Sequence, residues 1–225
     1  MCPRNPTSPA QPNTKYSIYS MSTQDYFALF ALPQHLHLDL AALEKTFYAL
    51  SRKLHPDRFA SKPAADQAAA LAASSQLNDA YRTLRDPIAR TEYLLSLEGI
   101  QLQEQSRAAT DAAKATGTAK KQVAPPDLLE EAFELNMALE EMRESQQADH
   151  PDPGIRADLE AAREKFTAML TETQLQLESL WTAWDTALDT ANTPEQQAAK
   201  QAMVALLNRR SYIRNLVRDV NTTLE

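Results

Sequence analysis

The sequence predicts an all-α protein, with an N-terminal helical hairpin and a C-terminal antiparallel bundle of three helices. Three observations carry this. Glycine occurs only three times in 225 residues, at Gly99, Gly117 and Gly154, while Ala, Leu, Glu and Gln are abundant; such a composition favours helix. Apolar residues recur at three- and four-residue spacing over long stretches, the period of one helix face. Proline-containing breaks at Pro33, Pro56, Pro87, Pro125-Pro126, Pro151–Pro153 and Pro194 separate those stretches.

Residues 1–20 hold four prolines among polar residues, cannot bury apolar surface and are expected to be a disordered tail. They lack the apolar stretch of a secretory signal. Met21 opens a run, MSTQDYFALF, that reads like an ordinary N-terminus, so Met21 is expected to be the start or residues 1–20 a dispensable extension. Asp25 then precedes an apolar patch, Tyr26, Phe27, Leu29 and Phe30, which reads as a short helix closed by Pro33. Asp39 is the expected cap of a helix to about Lys53, with Leu40, Leu43, Phe47, Leu50 and Leu54 on its apolar stripe. His55 precedes a proline and so leaves the α region, ending the helix.

A second long helix is predicted from Ala64 to Arg85, burying Ala70, Leu77, Tyr81 and Leu84, and Asp86-Pro87 ends it. Ile88–Leu97 reads as another helix, stopped at Gly99. Residues 100–125 carry no apolar stripe and read as a linker. The C-terminal unit, 126–225, has three helical patterns. They run from Asp127 to about Gln147, from Ile155 to about Thr190, and from after Thr193-Pro194 to about Asn221, with Thr193 as cap and Pro194 first in the helix. Short breaks between amphipathic helices imply an antiparallel bundle. Trp181 and Trp184, three apart on the long helix, read as core.

Charge narrows the function. The chain carries −7 at pH 7, which disfavours a nucleic-acid binder that must displace counterions with basic charge. No run approaches the roughly 20 apolar residues of a spanning helix. Cys2 is the single cysteine, so there is neither a disulfide framework nor a multi-cysteine metal site. Widely separated glycines exclude a phosphate-cradling loop. No Ser/His/Asp or Cys/His set is supported, so an enzyme is not expected, and no metal or cofactor is assigned. His35 and His37 read as loop histidines, and His150 as part of a turn. Residues 1–100 carry net +1 and residues 101–225 net −8, an asymmetry that suggests two surfaces with different partners.

The one motif of high information is His55-Pro56-Asp57, between two predicted helices. Pro56 fixes a dihedral and stiffens the turn. Asp57 offers a carboxylate to an arginine of a partner, and His55 offers two ring nitrogens. Lys45, Arg52, Lys53 and Arg58 surround the turn with positive charge, which steers an acidic partner. A plain helix-breaking turn would explain the tripeptide alone, but not its surroundings. A basic helix precedes it, and Asn78-Asp79-Ala80-Tyr81, then Leu84, follows on the next helix.

That combination resembles the J-domain, which stimulates ATP hydrolysis by a DnaK-type chaperone. The resemblance narrows over Asp25-Tyr26-Phe27, Leu29–Pro33, His55–Ala60 and Leu84-Arg85-Asp86-Pro87 through Arg90-Thr91-Glu92-Tyr93-Leu94-Leu95. These stretches are similar to the HscB family of iron–sulfur cluster assembly co-chaperones, over about residues 24–225. The resemblance implies a J-domain over 22–99 and a three-helix bundle over 126–225 in an L shape. It also implies a cytoplasmic protein of the bacterial type, because eukaryotic members carry an N-terminal pair of CxxC motifs. The J-domain would engage the specialised chaperone HscA through His55, Pro56, Asp57, Arg52, Lys53, Lys45 and Arg58. The bundle would recruit the cluster scaffold IscU.

The family's scaffold contact lies on the first bundle helix. Carried over by position, it implies Leu129, Glu130, Phe133, Glu134, Met137 and Glu141, with Leu206 from the last helix. The sequence departs from the family pattern at Glu130, where Met is usual, and at Met137, where an acid is usual. Leu135, Leu139 and Met142 read as bundle core. The competing reading is a J-domain adaptor that delivers a different client to a general DnaK-type chaperone.

Overall fold

The structure, a computed structural model, describes residues 25–100, 102, 125–147 and 153–225. The tail with Cys2 and Met21, nearly all of the 100–125 linker, and His150 lie outside the described residues. Among these residues there are seven α-helices and no strand. They are α1 (Tyr26–Leu29), α2 (Leu40–Leu54), α3 (Ala64–Arg85), α4 (Pro87–Leu97), α5 (Leu129–Gln147), α6 (Pro153–Asp189) and α7 (Thr193–Leu224). Short 3-10 turns occupy Pro56–Phe59 and Pro126–Leu128. No helix among the described residues is long and apolar enough to cross a membrane.

The helix ends follow from local chemistry. Asp25 accepts from the Phe27 N–H at 2.8 Å, and Asp39 accepts from the Ala41 and Ala42 N–H groups at 2.9 and 3.1 Å. Each satisfies donors the first helical turn cannot. Gly99 has φ +75°; the Gly99 N–H reaches Ser96 O and the Ile100 N–H reaches Leu95 O, so α4 ends in the glycine-favoured left-handed stop. Ala191, φ +52°, makes the same kind of stop after α6 without a glycine. The α7 cap differs from the sequence expectation: Asn192, not Thr193, accepts from the Glu195 N–H at 3.4 Å. The tight α6–α7 turn leaves Asn192 outside the helix and takes Thr193 into its first turn.

The chain divides into two compact units. The first comprises residues 25–33 and Asp39–Asp86. In it α2 and α3 form the hairpin and α1 packs on α3. Phe27, Leu43, Ala70, Ala73, Leu77, Ala80 and Leu84 are buried. Leu40, at the first helical position, is exposed instead. Phe47 stacks on Tyr81 with centroids 4.2 Å apart and planes 17° apart, clamping α2 to α3.

The second unit comprises Gln34–Leu38 and Pro87–Glu225. Its bundle core is Leu128, Ala132, Leu135, Leu139 and Met142 against Leu159, Phe166, Ile213, Leu216 and Val220. Polar contacts between the helices report their directions. Arg209 holds Asp127 at 2.9 Å, and Gln146 donates to Thr223 O at 3.1 Å; α5 therefore runs parallel to α7. Lys165 meets Glu131 at 3.5 Å, on the antiparallel α6. Tyr212 packs partly against this core, and burial pushes its phenol above the ordinary value.

Two pieces of the first hundred residues belong to this second unit. Helix α4 packs against α7, buries Leu94 and Leu95, and holds Lys200 through Glu98 at 2.8 Å. The grouping 22–99 read from sequence order thus differs from the grouping by packing. Residues 34–38 form a strap on α6. Trp184 Nε1 donates to Gln34 O at 2.9 Å, and Asp185 accepts from the Leu36 and His37 N–H groups at 2.6 and 2.9 Å. Buried Arg90 donates to Leu36 O at 2.7 Å. His37 Nδ1 and His35 Nε2 meet Asp185 and Asp189 at 3.0 and 2.9 Å, so these loop histidines help to hold the strap. Asp185→Ala leaves the Leu36 N–H without its acceptor beside a buried side chain. It should cost about 1–3 kcal/mol of unfolding free energy, measured by denaturant titration; an unchanged midpoint would show the strap to be loosely held.

Candidate functional site: two exposed recognition surfaces

The first surface is the turn after α2. Leu54 is buried and closes the helix. His55, with φ −58° and ψ 128°, leaves the helical region, as the following proline requires. Pro56 then opens the 3-10 turn, closed by Arg58 N–H to His55 O at 3.0 Å and Ala60 N–H to Asp57 O at 3.3 Å. The Asp57 N–H donates to His55 Nδ1 at 3.3 Å. The same nitrogen lies 3.5 Å from Asp57 Oδ2, so the His55 ring braces both the backbone and the carboxylate of the turn. The Asp57 side chain is 89 % exposed. Its carboxylate therefore stands on a turn stiffened from both sides.

Basic residues lie on the helix before that carboxylate and in its own turn. Lys45, Arg52, Lys53 and Arg58 are all exposed. Arg58 donates to Arg52 O at 3.3 Å, folding back over the end of α2. Gln67 Nε2 donates to Ala60 O and Lys62 O at 3.2 and 2.9 Å, which ties the rest of the loop to α3. Arg52, Lys53 and Arg58 thus lie within a few residues of the His55-Pro56-Asp57 turn, while Lys45 stands further back along α2. An acidic carboxylate set among cations suits a partner that presents an arginine within a mainly acidic surface.

The second surface is α5. Leu129, Phe133 and Met137 are 55 %, 68 % and 51 % exposed. They follow at four-residue spacing and form a ridge along one side of the helix. Leu135, Leu139 and Met142 point the other way and are buried in the bundle core. The carboxylates Glu130, Glu134 and Glu141 are exposed beside the ridge. Glu134 also lines a recess of about 280 Å³ between α5 and α6, together with Glu131, Asp158 and Lys165 over Leu135 and Phe166. Leu206 is half-buried on α7, one turn before the Arg209 that holds Asp127 at the start of α5; of the seven residues carried over for this surface it is the least accessible.

Large apolar groups left in water at regular spacing mark an interaction surface more than a solvated helix face. Sequence reading overlooked Tyr48 and Leu71, which are 56 % and 63 % exposed in the first unit. Among the described residues no group of three His, Cys, Asp or Glu side chains could hold a metal ion.

No family model matches the chain. Among solved structures it is similar to the chaperone HscB from Vibrio cholerae, with 31 % identity and a TM-score of 0.54, over 88 % of this chain and 96 % of that one. It also shares its fold with human co-chaperone protein HscB, at 21 % identity and a TM-score of 0.58, over 96 % of this chain and 93 % of that one. The His55-Pro56-Asp57 turn on a helical hairpin, the three-helix bundle and the 31 % identity over nearly the whole Vibrio cholerae protein agree with one another. The chain belongs to the HscB family of J-domain co-chaperones that serve iron–sulfur cluster assembly.

Proposed function

We propose that this co-chaperone stimulates ATP hydrolysis by a specialised DnaK-type chaperone, HscA, and brings to it the iron–sulfur scaffold IscU. Residues 22–99 supply the chaperone contact, through His55, Pro56 and Asp57 with Lys45, Arg52, Lys53 and Arg58. Residues 126–225 hold the scaffold, through Leu129, Glu130, Phe133, Glu134, Met137 and Glu141, with Leu206 at the margin. The protein acts in the cytoplasm by recognition, with no chemistry of its own.

The observation that supports this reading best is the division of α5. Three of its apolar side chains are more than half exposed while three others lie in the core. Burying the ridge against a partner with basic and apolar groups would remove that apolar surface from water, at roughly 25 cal/mol per Å², and pair the carboxylates beside it. Among the exposed cations of the first unit, the Asp57 carboxylate is equally suited to a chaperone.

Single-turnover ATPase of the cognate chaperone tests both halves, with this protein and the scaffold added alone and together. Strong stimulation by the pair, far above either alone, is expected. Stimulation by this protein to which the scaffold adds nothing would leave a J-domain adaptor for a different client. No stimulation would reduce the His55-Pro56-Asp57 turn to a helix break.

A further inference from the structure

Tyr48 lies outside the residues assigned so far, yet it is 56 % exposed. It follows Lys45 by three residues and precedes Arg52 by four, so the three share one side of α2. Arg52 Nε donates to Tyr48 O at 3.3 Å, which draws that side chain back along the turn Tyr48 occupies. The ring is also braced. It lies 5.4 Å from the Phe47 ring, at 59°. Phe47 in turn stacks on Tyr81 at 4.2 Å, and the Arg85 guanidinium sits 6.0 Å from the Tyr81 centroid. A run of rings therefore leads from α3 out to a tyrosine at the surface.

Phe47 makes the α2–α3 stack, so the fold has little need of the Tyr48 ring. A braced ring loses less freedom when a partner covers it than a free one does. Tyr and Arg are also the residue types that most often carry binding energy. We infer that Tyr48 is the apolar anchor of the chaperone-docking surface, fixing how tightly the chaperone is held, while Asp57 governs the stimulated rate. The inference rests on the reading that the His55-Pro56-Asp57 turn meets that chaperone. The partner face it fits has an apolar depression for the ring, flanked by carboxylates opposite Lys45 and Arg52.

The test titrates the full-length protein against its cognate chaperone in single-turnover ATPase, using wild type, Tyr48→Ala, Tyr48→Phe and Asp57→Asn, with a thermal melt of each. Tyr48→Ala should raise the half-saturating concentration about fivefold or more and reach the wild-type maximal rate. Tyr48→Phe keeps the ring and should titrate like wild type. The inference is overturned if Tyr48→Ala saturates at the wild-type concentration, or if it lowers the maximal rate without moving that concentration. It is also overturned if Tyr48→Phe weakens docking as much as Ala, since the hydroxyl would then be the contact. Should Tyr48→Ala melt early, Tyr48→Gln at a temperature where it is fully folded gives the same reading. Asp57→Asn separates the two levels. Normal stimulation by Asp57→Asn removes the underlying reading, whereas lost stimulation with an unaltered Tyr48→Ala titration removes only the anchor.

Discussion

Asp57→Asn should abolish stimulation of the chaperone's ATPase while leaving the protein folded. The carboxylate is 89 % exposed and the amide has the same shape, so the stability change should stay within about ±0.5 kcal/mol. The loss is much larger in the chaperone's activated state, where the charge pair made by Asp57 sets the stimulated rate. Removing one member of a desolvated charge pair costs about 2–5 kcal/mol, chiefly because the other charge is left unpaired. Stimulation should therefore fall roughly thirtyfold or more. His55→Gln should have a similar effect by a different route. Nδ1 accepts the Asp57 N–H, so the ring holds the orientation of the group it precedes. A flexible amide loosens that brace. Single-turnover hydrolysis at saturating co-chaperone, beside a circular-dichroism melt, checks both variants. Normal stimulation by either variant, in a folded protein, would discard the turn as the chaperone contact.

The hairpin carrying this turn was legible because its determinants are local. Asp39 caps α2, Pro56 breaks it, and α3 spans the expected Ala64–Arg85. Each boundary depends on residues within a few positions of it. The strap was not legible: its acceptors, Asp185 and Asp189, lie about 150 positions along the chain. Nothing in the run Gln34–Leu38 says that Leu36 will be 1 % exposed. Helix α4 illustrates the same limit. Its apolar positions identify a helix, and only tertiary contact decides which unit receives it. For the α7 cap, two adjacent residues could serve, and the geometry of the preceding turn selects Asn192. The second surface was legible as a division of faces, because Leu129, Phe133 and Met137 fall on a different side of α5 from Leu135, Leu139 and Met142. Tyr48 was overlooked for a related reason. It neighbours Phe47, which lies on the apolar stripe, and sequence shows neither the stacking of Phe47 on Tyr81 nor the exposure of the tyrosine beside it.

The double variant Leu129→Ala/Phe133→Ala should weaken scaffold binding by about 3–5 kcal/mol, since central aromatic and apolar anchors each contribute roughly 2 kcal/mol or more. Both side chains are more than half exposed in the free protein, so their loss takes little from the bundle and the melt should be nearly unchanged. Glu134→Ala should do less and should depend on salt, because an exposed carboxylate contributes only about 0.2–1 kcal/mol and is screened. Leu139→Ala provides the opposite case on the same helix. Leu139 is 3 % exposed in the core, so its truncation should cost about 2–5 kcal/mol of stability and leave the affinity of the folded fraction intact. Calorimetric titration of the scaffold, with a denaturant curve for each variant, compares the two. Wild-type affinity in the double variant would show that the ridge is not the scaffold surface. A fall in stability together with affinity would show that Leu129 and Phe133 act by holding α5 in the bundle. Only weaker binding by a fully stable protein fits a ridge whose apolar groups are kept in water until a partner covers them.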